Sequence, residues 1–158
     1  RFCNRAVILT GGLQAFSLSN DEWRYRLDFV WKHRQPRSFA TNYQPVMYHN
    51  NVVMLTKGKT KIGWKRPVPG FGSVVQIDDV PEYVDRDYGH GKCWEIFREF
   101  IAGFEFKNWI DPFLGTAATL LACEYENRTL FGIEIDPGIL AVGLERCSVA
   151  GLEINDAG

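Results

Sequence analysis

Three residues in the second half of the chain combine residue type and spacing suited to a nucleotide-like ligand: Asp111, Gly115 and Glu134. They lie in Trp109-Ile-Asp-Pro-Phe-Leu-Gly-Thr-Ala-Ala-Thr119 and Phe131-Gly-Ile-Glu-Ile-Asp-Pro137. The first stretch reads as a strand ending at Asp111, a tight turn containing Gly115, and a helix starting near Thr116. Such a strand-turn-helix brings backbone close to a ligand at the helix N-terminus. The next strand ends in an acid, Glu134, 19 residues after Gly115. An acid at that strand tip can accept two hydrogen bonds from a ribose diol. The usual dinucleotide fingerprint of three spaced glycines is absent, and no pyrophosphate cradle is evident. Both points argue against NAD or FAD.

Each residue also has a plainer reading. Asp111 could be an acid at a helix start, Glu134 a solvated strand-end acid, and Phe113 a core aromatic. Asp136 suits a cap for the helix that Pro137 opens. His33, His49 and His90 show no metal-ligand spacing with cysteines or acids, and no Ser/His/Asp arrangement is legible. The four cysteines, Cys3, Cys93, Cys123 and Cys147, form no CxxC pair. They suggest neither a zinc site nor a disulfide framework, and a reducing, cytosolic setting is the default.

A second feature is charge. The formal net charge is -1, but it is segregated. Residues 24–66 hold ten Lys and Arg against one acid, Asp28, a net of +9. Residues 76–158 hold sixteen acids and six bases, a net of -10. Within the basic segment, Lys57, Lys59, Lys61, Lys65 and Arg66 surround Trp64, and Arg34 and Arg37 precede them. Clustered bases with an interleaved aromatic suit phosphates and stacked bases. A solvated loop facing the acidic half is the alternative.

The elements that must position these groups follow from pattern. Ala6–Thr10 reads as a short buried strand stopped by Gly11-Gly12. Ser19–Glu22 looks like a helix start. Tyr25–Trp31 and Asn51–Thr56 read as strands, with a polar, Pro-punctuated loop over 33–50 between them. Residues 57–92 hold nine Gly or Pro and read as a loop-rich insert. From Cys93 to Phe104, Trp94, Phe97, Phe100, Ile101 and Phe104 share one helix face. Then come a strand at Asn108–Asp111, a helix at Thr116–Tyr125, a strand at Leu130–Ile135 and a helix from Pro137 to about Val149. That alternation predicts an α/β fold with a mostly parallel, doubly wound sheet.

At 158 residues the chain has the length of one domain. Its 46% apolar and 23% charged content excludes disordered, collagenous and coiled-coil classes. No apolar run reaches the ~18 residues of a membrane span. The chain starts at Arg1 without an initiator Met or a signal-type region, so it reads as part of a longer protein.

Asp111-Pro-Phe-Leu-Gly-Thr-Ala-Ala-Thr119 resembles the "DPF-x-GSGTT" loop of S-adenosylmethionine-dependent DNA amino-methyltransferases, and Gly132-Ile-Glu-Ile-Asp136 resembles their "GIEID" strand. The order of the other pieces is similar to the permuted class, in which the catalytic part precedes the cofactor loop. Val7–Gly12 is similar to its GG-turn strand, Phe29–Lys32 to its strand ending in Trp-Lys, and Pro45–Gly58 to its "P-x-x-x-H-E" strand ending in Lys-Gly. His90–Cys93 is similar to its "H…KP" segment. The resemblance covers most of the chain. It implies a Rossmann-like methyltransferase fold over 1–158, with catalytic-side strands in 1–56, a target-recognition insert in 57–92 and a cofactor-binding half in 93–158. It implies that S-adenosylmethionine is held by Lys92, Asp111, Pro112, Phe113, Gly115, Thr116, Ala117, Glu134 and Ile135. DNA would meet Arg34, Arg37, Lys57, Lys59, Lys61, Trp64, Lys65 and Arg66. The setting it implies is the cytoplasm of a bacterium or phage-infected cell.

The departures matter equally. Gly-Ser-Gly becomes Gly115-Thr116-Ala117, placing a Cβ where the family keeps bare backbone and narrowing the cofactor's approach. Cys93 replaces the Pro of Lys-Pro, and Asn50 the acid after His. The family's catalytic Asp/Asn-Pro-Pro-aromatic tetrapeptide, which holds the target amine and stacks on the flipped base, is missing. In the permuted order it lies before Arg1. The sheet is thus expected to be incomplete at the N-terminal side and completed by an upstream segment or a second polypeptide. The resemblance implies methyl transfer to the exocyclic amine of adenine or cytosine. The competing reading is an inactive methyltransferase-like nucleic-acid-binding or partner subunit.

Overall fold

The computed structural model describes residues 6–11, 17, 19–32, 48–59, 73–76, 93–152 and 154. The chain divides into two compact units, Arg1–Asp79 and Val80–Gly158. The division falls inside the 57–92 stretch.

The first unit is a four-stranded sheet in the order β1-β3-β2-β4. Its strands are β1 (Ala6–Gly11), β2 (Trp23–Lys32), β3 (His49–Lys57) and β4 (Val74–Gln76). Strand β3 runs antiparallel to both β1 and β2, from Ala6 opposite Thr56 to Lys32 opposite His49. Its Val52–Thr56 run is wholly buried, as a strand with neighbours on both edges and apolar side chains on both faces should be. The register of β2 slips between Tyr25 and Leu27. Arg26 sits at that bulge, its Nε donating to the buried Thr56 Oγ1 at 2.6 Å and its Nη2 to Gly58 O at 3.1 Å. The bulge thereby re-aims a cation onto a polar group that would otherwise be stranded in the core.

Two expectations change here. Ser19–Glu22 starts a strand, not a helix. Asn20 Oδ1 accepts from the Glu22 and Trp23 amides at 2.9 and 2.7 Å, and Ser19 Oγ accepts from the Tyr25 amide at 3.2 Å. The same short polar side chains that cap helices here fold an Asx turn. The 57–92 insert also contains β4, which pairs parallel with the end of β2 and buries Val75 opposite Trp31. Three residues in a Gly- and Pro-rich stretch carry too little periodicity to reveal it.

The second unit alternates as expected: α1 (Trp94–Gly103), β5 (Asn108–Asp111), α2 (Ala118–Tyr125), β6 (Thr129–Gly132) and α3 (Pro137–Val149). Strands β5 and β6 are parallel and in register, Asn108 opposite Thr129 and Asp111 opposite Gly132. Ile101, Ala122 and Cys123 form one core, with Trp94, Phe97, Trp109 and Leu130 packed around it. Leu114, Ala117 and Cys147 form a second, under Leu120, Leu121, Leu140 and Leu152. Strand β6 ends earlier than the apolar run suggested, because β5 ends at Asp111. The Ile133 amide makes one last bond to Asp111 O at 2.9 Å, and the chain then turns toward α3. Helix α2 begins at Ala118, two residues late, because Gly115 and Ala117 hold left-handed φ values of 56° and 61°, which a right-handed helix cannot contain.

Candidate functional site

The site is built where β5 and β6 end. Asp111 closes β5 and uses both carboxylate oxygens locally. Oδ1 accepts from the Phe113 amide at 2.9 Å, and Oδ2 accepts from Thr119 Oγ1 at 2.5 Å. The acid thus ties the strand end to the first turn of α2. Thr119 was not singled out from sequence, although a hydroxyl in the first helical turn after an acid is the signal that points to it. Leu114 then crosses back over β6. Its amide donates to Ile133 O at 2.9 Å, and its methyls lie where a Cβ on Gly132 would be, 2.8 Å from that position.

Glu134 completes the turn from the other strand. Oε2 accepts from the Gly115 amide at 2.8 Å and Oε1 from the Asp136 amide at 3.0 Å. The Asp136 and Gly115 N–H groups stabilise the charged form and hold its carboxyl below the usual range. Asp136 caps α3 as its position suggested, its Oδ1 accepting from the Gly138 and Ile139 amides at 2.8 and 3.2 Å, with Pro137 in the first turn. A carboxylate offers about four acceptor positions, so Glu134 has capacity beyond its two backbone bonds.

Asp111, Pro112, Phe113, Gly115, Thr116, Glu134 and Ile135 therefore sit in one strand-end cluster. Phe113 is 86% exposed and Ile135 96% exposed, apolar side chains of a size that a core would otherwise claim. Ala117 differs. It belongs to the same turn but is 0% exposed, with its backbone in the left-handed region. Lys92 lies outside the described residues. Cys93 donates to Glu95 Oε2 at 2.7 Å, and burial pushes its thiol up to about 12. Cys123 is likewise pushed up to about 12 by burial. Both stay neutral thiols and pack.

Of the basic residues, Lys57 and Lys59 are described; Arg34, Arg37, Lys61, Trp64, Lys65 and Arg66 lie outside the described residues. Lys57 pairs with Glu22 at 2.5 Å and lies 5.8 Å from the centre of the Trp23 ring. Part of its charge is therefore answered within its own unit. Lys59 is exposed just beyond the end of β3. Among the described residues no helix is long and apolar enough to cross a membrane.

No family profile matches the chain. In sequence it is 29% identical over 143 residues to the type II methyltransferase M.XycI of Xanthomonas campestris pv. cyanopsidis, covering 84% of this chain and 47% of that protein. The chain spans about half the length of the curated relatives it matches. Among solved structures, the M1.HpyAVI–SAM complex superposes with a TM-score of 0.75 at 18% identity, over 89% of this chain and 73% of that one. The cytosine-N4-specific PvuII DNA methyltransferase superposes at 0.60 and 17% identity, over 83% of this chain and 52% of that one. In sequence the chain is thus similar to type II methyltransferases, and it carries the Rossmann-like α/β fold of the solved methyltransferases on which it superposes.

Proposed function

We propose that this chain is the cofactor-binding and DNA-contacting part of a methyltransferase that uses S-adenosylmethionine to methylate the exocyclic amine of adenine or cytosine in DNA. One observation carries the reading: an ionised, half-exposed Glu134 bonded to the Gly115 amide, with the exposed Phe113 and Ile135 on the segments that flank it. These residues fit the cofactor. Glu134 has acceptor positions left for a ribose diol, and Phe113 and Ile135 offer apolar surface for a purine. Asp111, fixed by Phe113 N–H and Thr119, keeps the turn open at the strand end. Pro112, Thr116 and Ala117 shape that turn, and Lys92 completes the set.

When bound, S-adenosylmethionine supplies a methyl group already activated on a sulfonium. The chain's own residues bind and orient it, which is most of what such a transfer needs. Lys57, Lys59, Lys61, Trp64, Lys65, Arg66, Arg34 and Arg37 would carry the DNA, through phosphates and stacking. No residue of this chain is assigned to holding the target amine. That role falls to an upstream segment or a second polypeptide bearing the Asp/Asn-Pro-Pro-aromatic tetrapeptide. A second reading of the same fold is a catalytically inactive methyltransferase-like nucleic-acid-binding or partner subunit.

Methyl incorporation from tritiated cofactor into DNA decides between them. Activity that appears when the tetrapeptide segment is supplied supports the enzyme. Cofactor and DNA binding that never lead to incorporation support the partner subunit.

A further inference from the structure

Helix α3 approaches the cofactor turn more closely than a side chain would permit. A Cβ placed on Gly143 would lie 3.1 Å from the Ala117 Cβ, 3.2 Å from Gly115 O and 3.3 Å from Ala117 N. Comfortable contact between carbons begins near ~3.5 Å, and Gly143 is buried in the middle of α3. Glycine is a poor choice for a helix interior, so its presence there has a packing reason. One turn further along, Arg146 Nη1 donates to Thr116 O at 3.2 Å. Gly115, Thr116 and Ala117 are thus each met by one face of α3. On the turn itself, Ala117 carries its methyl at a φ of 61°, a conformation that favours glycine.

We infer that Gly143 and Ala117 are a complementary steric pair, in which the helix gives up a side chain so that the turn can carry one. Gly143 is thereby a positioning residue: it sets how deeply the turn seats, and so where the Gly115 amide meets the Glu134 carboxylate. The consequence for ligand affinity rests on the cofactor reading above. The steric pairing does not.

The test is a four-member cycle of the parent chain, G143A, A117G and A117G/G143A. Overpacking should make G143A bind S-adenosylmethionine roughly tenfold more weakly than the parent. In the A117G background the same change should cost less, because the nearest of the three contacts, the Ala117 Cβ, is gone while those to Gly115 O and Ala117 N remain. Equal losses in both backgrounds would overturn the pair. The second readout is the Gly115 amide signal in a 1H–15N spectrum. G143A should shift it, and A117G/G143A should bring it back toward the parent position. If the parent binds no S-adenosylmethionine, the cofactor reading fails, and the amide signal still decides the pairing. A Gly115 amide unmoved by G143A overturns it. Should G143A fail to fold, A117G/G143A is expected to fold, and failure of both alike would also overturn it.

Discussion

The two units use their strands in opposite ways. In the first, β3 is enclosed: β1 and β2 flank it, and Val52–Thr56 is buried throughout. Its polar exception, Thr56, is answered by Arg26 from the bulge in β2. In the second, β5 and β6 are four residues each, and Ile110 and Phe131, opposite one another in register, remain exposed. Three helices pack with these strands, and the polar groups gather where the strands stop. The enclosed strand stores stability, whereas the short, half-covered pair presents its ends. Chemistry collects at the ends because the backbone there leaves the ladder and its amides become available to carboxylates and ligands.

The largest test of this contrast is catalytic. The 158 residues alone should incorporate no methyl groups into DNA, and supplying the tetrapeptide segment in one reading frame or as a second chain should produce incorporation. Robust turnover by the chain alone would mean that the amine-holding residues lie among those assigned other roles.

Next in size is Glu134→Ala. Losing charge-assisted hydrogen bonds to the ligand should weaken S-adenosylmethionine binding by on the order of 10- to 100-fold. Calorimetry measures it, and unchanged affinity would remove Glu134 from the site. Thr119→Val should do less, roughly a severalfold loss, since it releases only one of the bonds that fix Asp111. A loss larger than that of Glu134→Ala would reverse the ranking proposed here.

The acid limb gives a finer test. Glu134 titrates below its ordinary value because the Asp136 and Gly115 amides favour its charged form. The unfolded chain therefore binds this proton more readily than the folded one. The contribution is full at neutral pH, above the unfolded value, and is lost as pH falls through the depressed folded value. The Gly115 amide signal should follow that titration with a midpoint below the ~4.3 of an ordinary Glu. A midpoint at or above the ordinary value would show that the two amides do not hold the carboxylate.

The smallest effect concerns the basic segment of the first unit. DNA affinity should fall with salt at a log–log slope of about -0.9 per neutralised phosphate. Replacing Lys59 and Lys61 by Gln should flatten that slope by up to about two phosphates' worth. Lys57→Gln should change it less, because Glu22 already faces Lys57. A slope near zero in the parent would leave the segment a solvated loop.

The second unit was the more legible from sequence. Amphipathic spacing marked α1, Pro137 marked the start of α3, and Gly115 with Glu134 marked the turn, because each is a local signal. What escaped was set by tertiary contact. The left-handed backbone at Ala117 escaped because a motif does not show φ. Gly143 and Arg146 escaped because nothing in a helix pattern shows what its face will meet. In the first unit, Ser19–Glu22 misled because Asx turns and helix caps use the same side chains. The parallel, doubly wound reading fits β5 and β6. Strand β3 adds two antiparallel pairings that alternation of helices and strands does not specify.

The pairing of β1 has a consequence in folding time. Strand β1 skips β2, its next neighbour in sequence, and joins β3, with Ala6 opposite Thr56. A chain growing from its N-terminus must therefore keep the β3-facing edge of β1 waiting until β3 exists. The β2–β3 pair closes the shorter loop and should form first, since the entropy of closure rises with loop length. Substitutions that weaken β2–β3 contacts, such as Val53→Ala, should slow folding. Those confined to β1 should mainly speed unfolding.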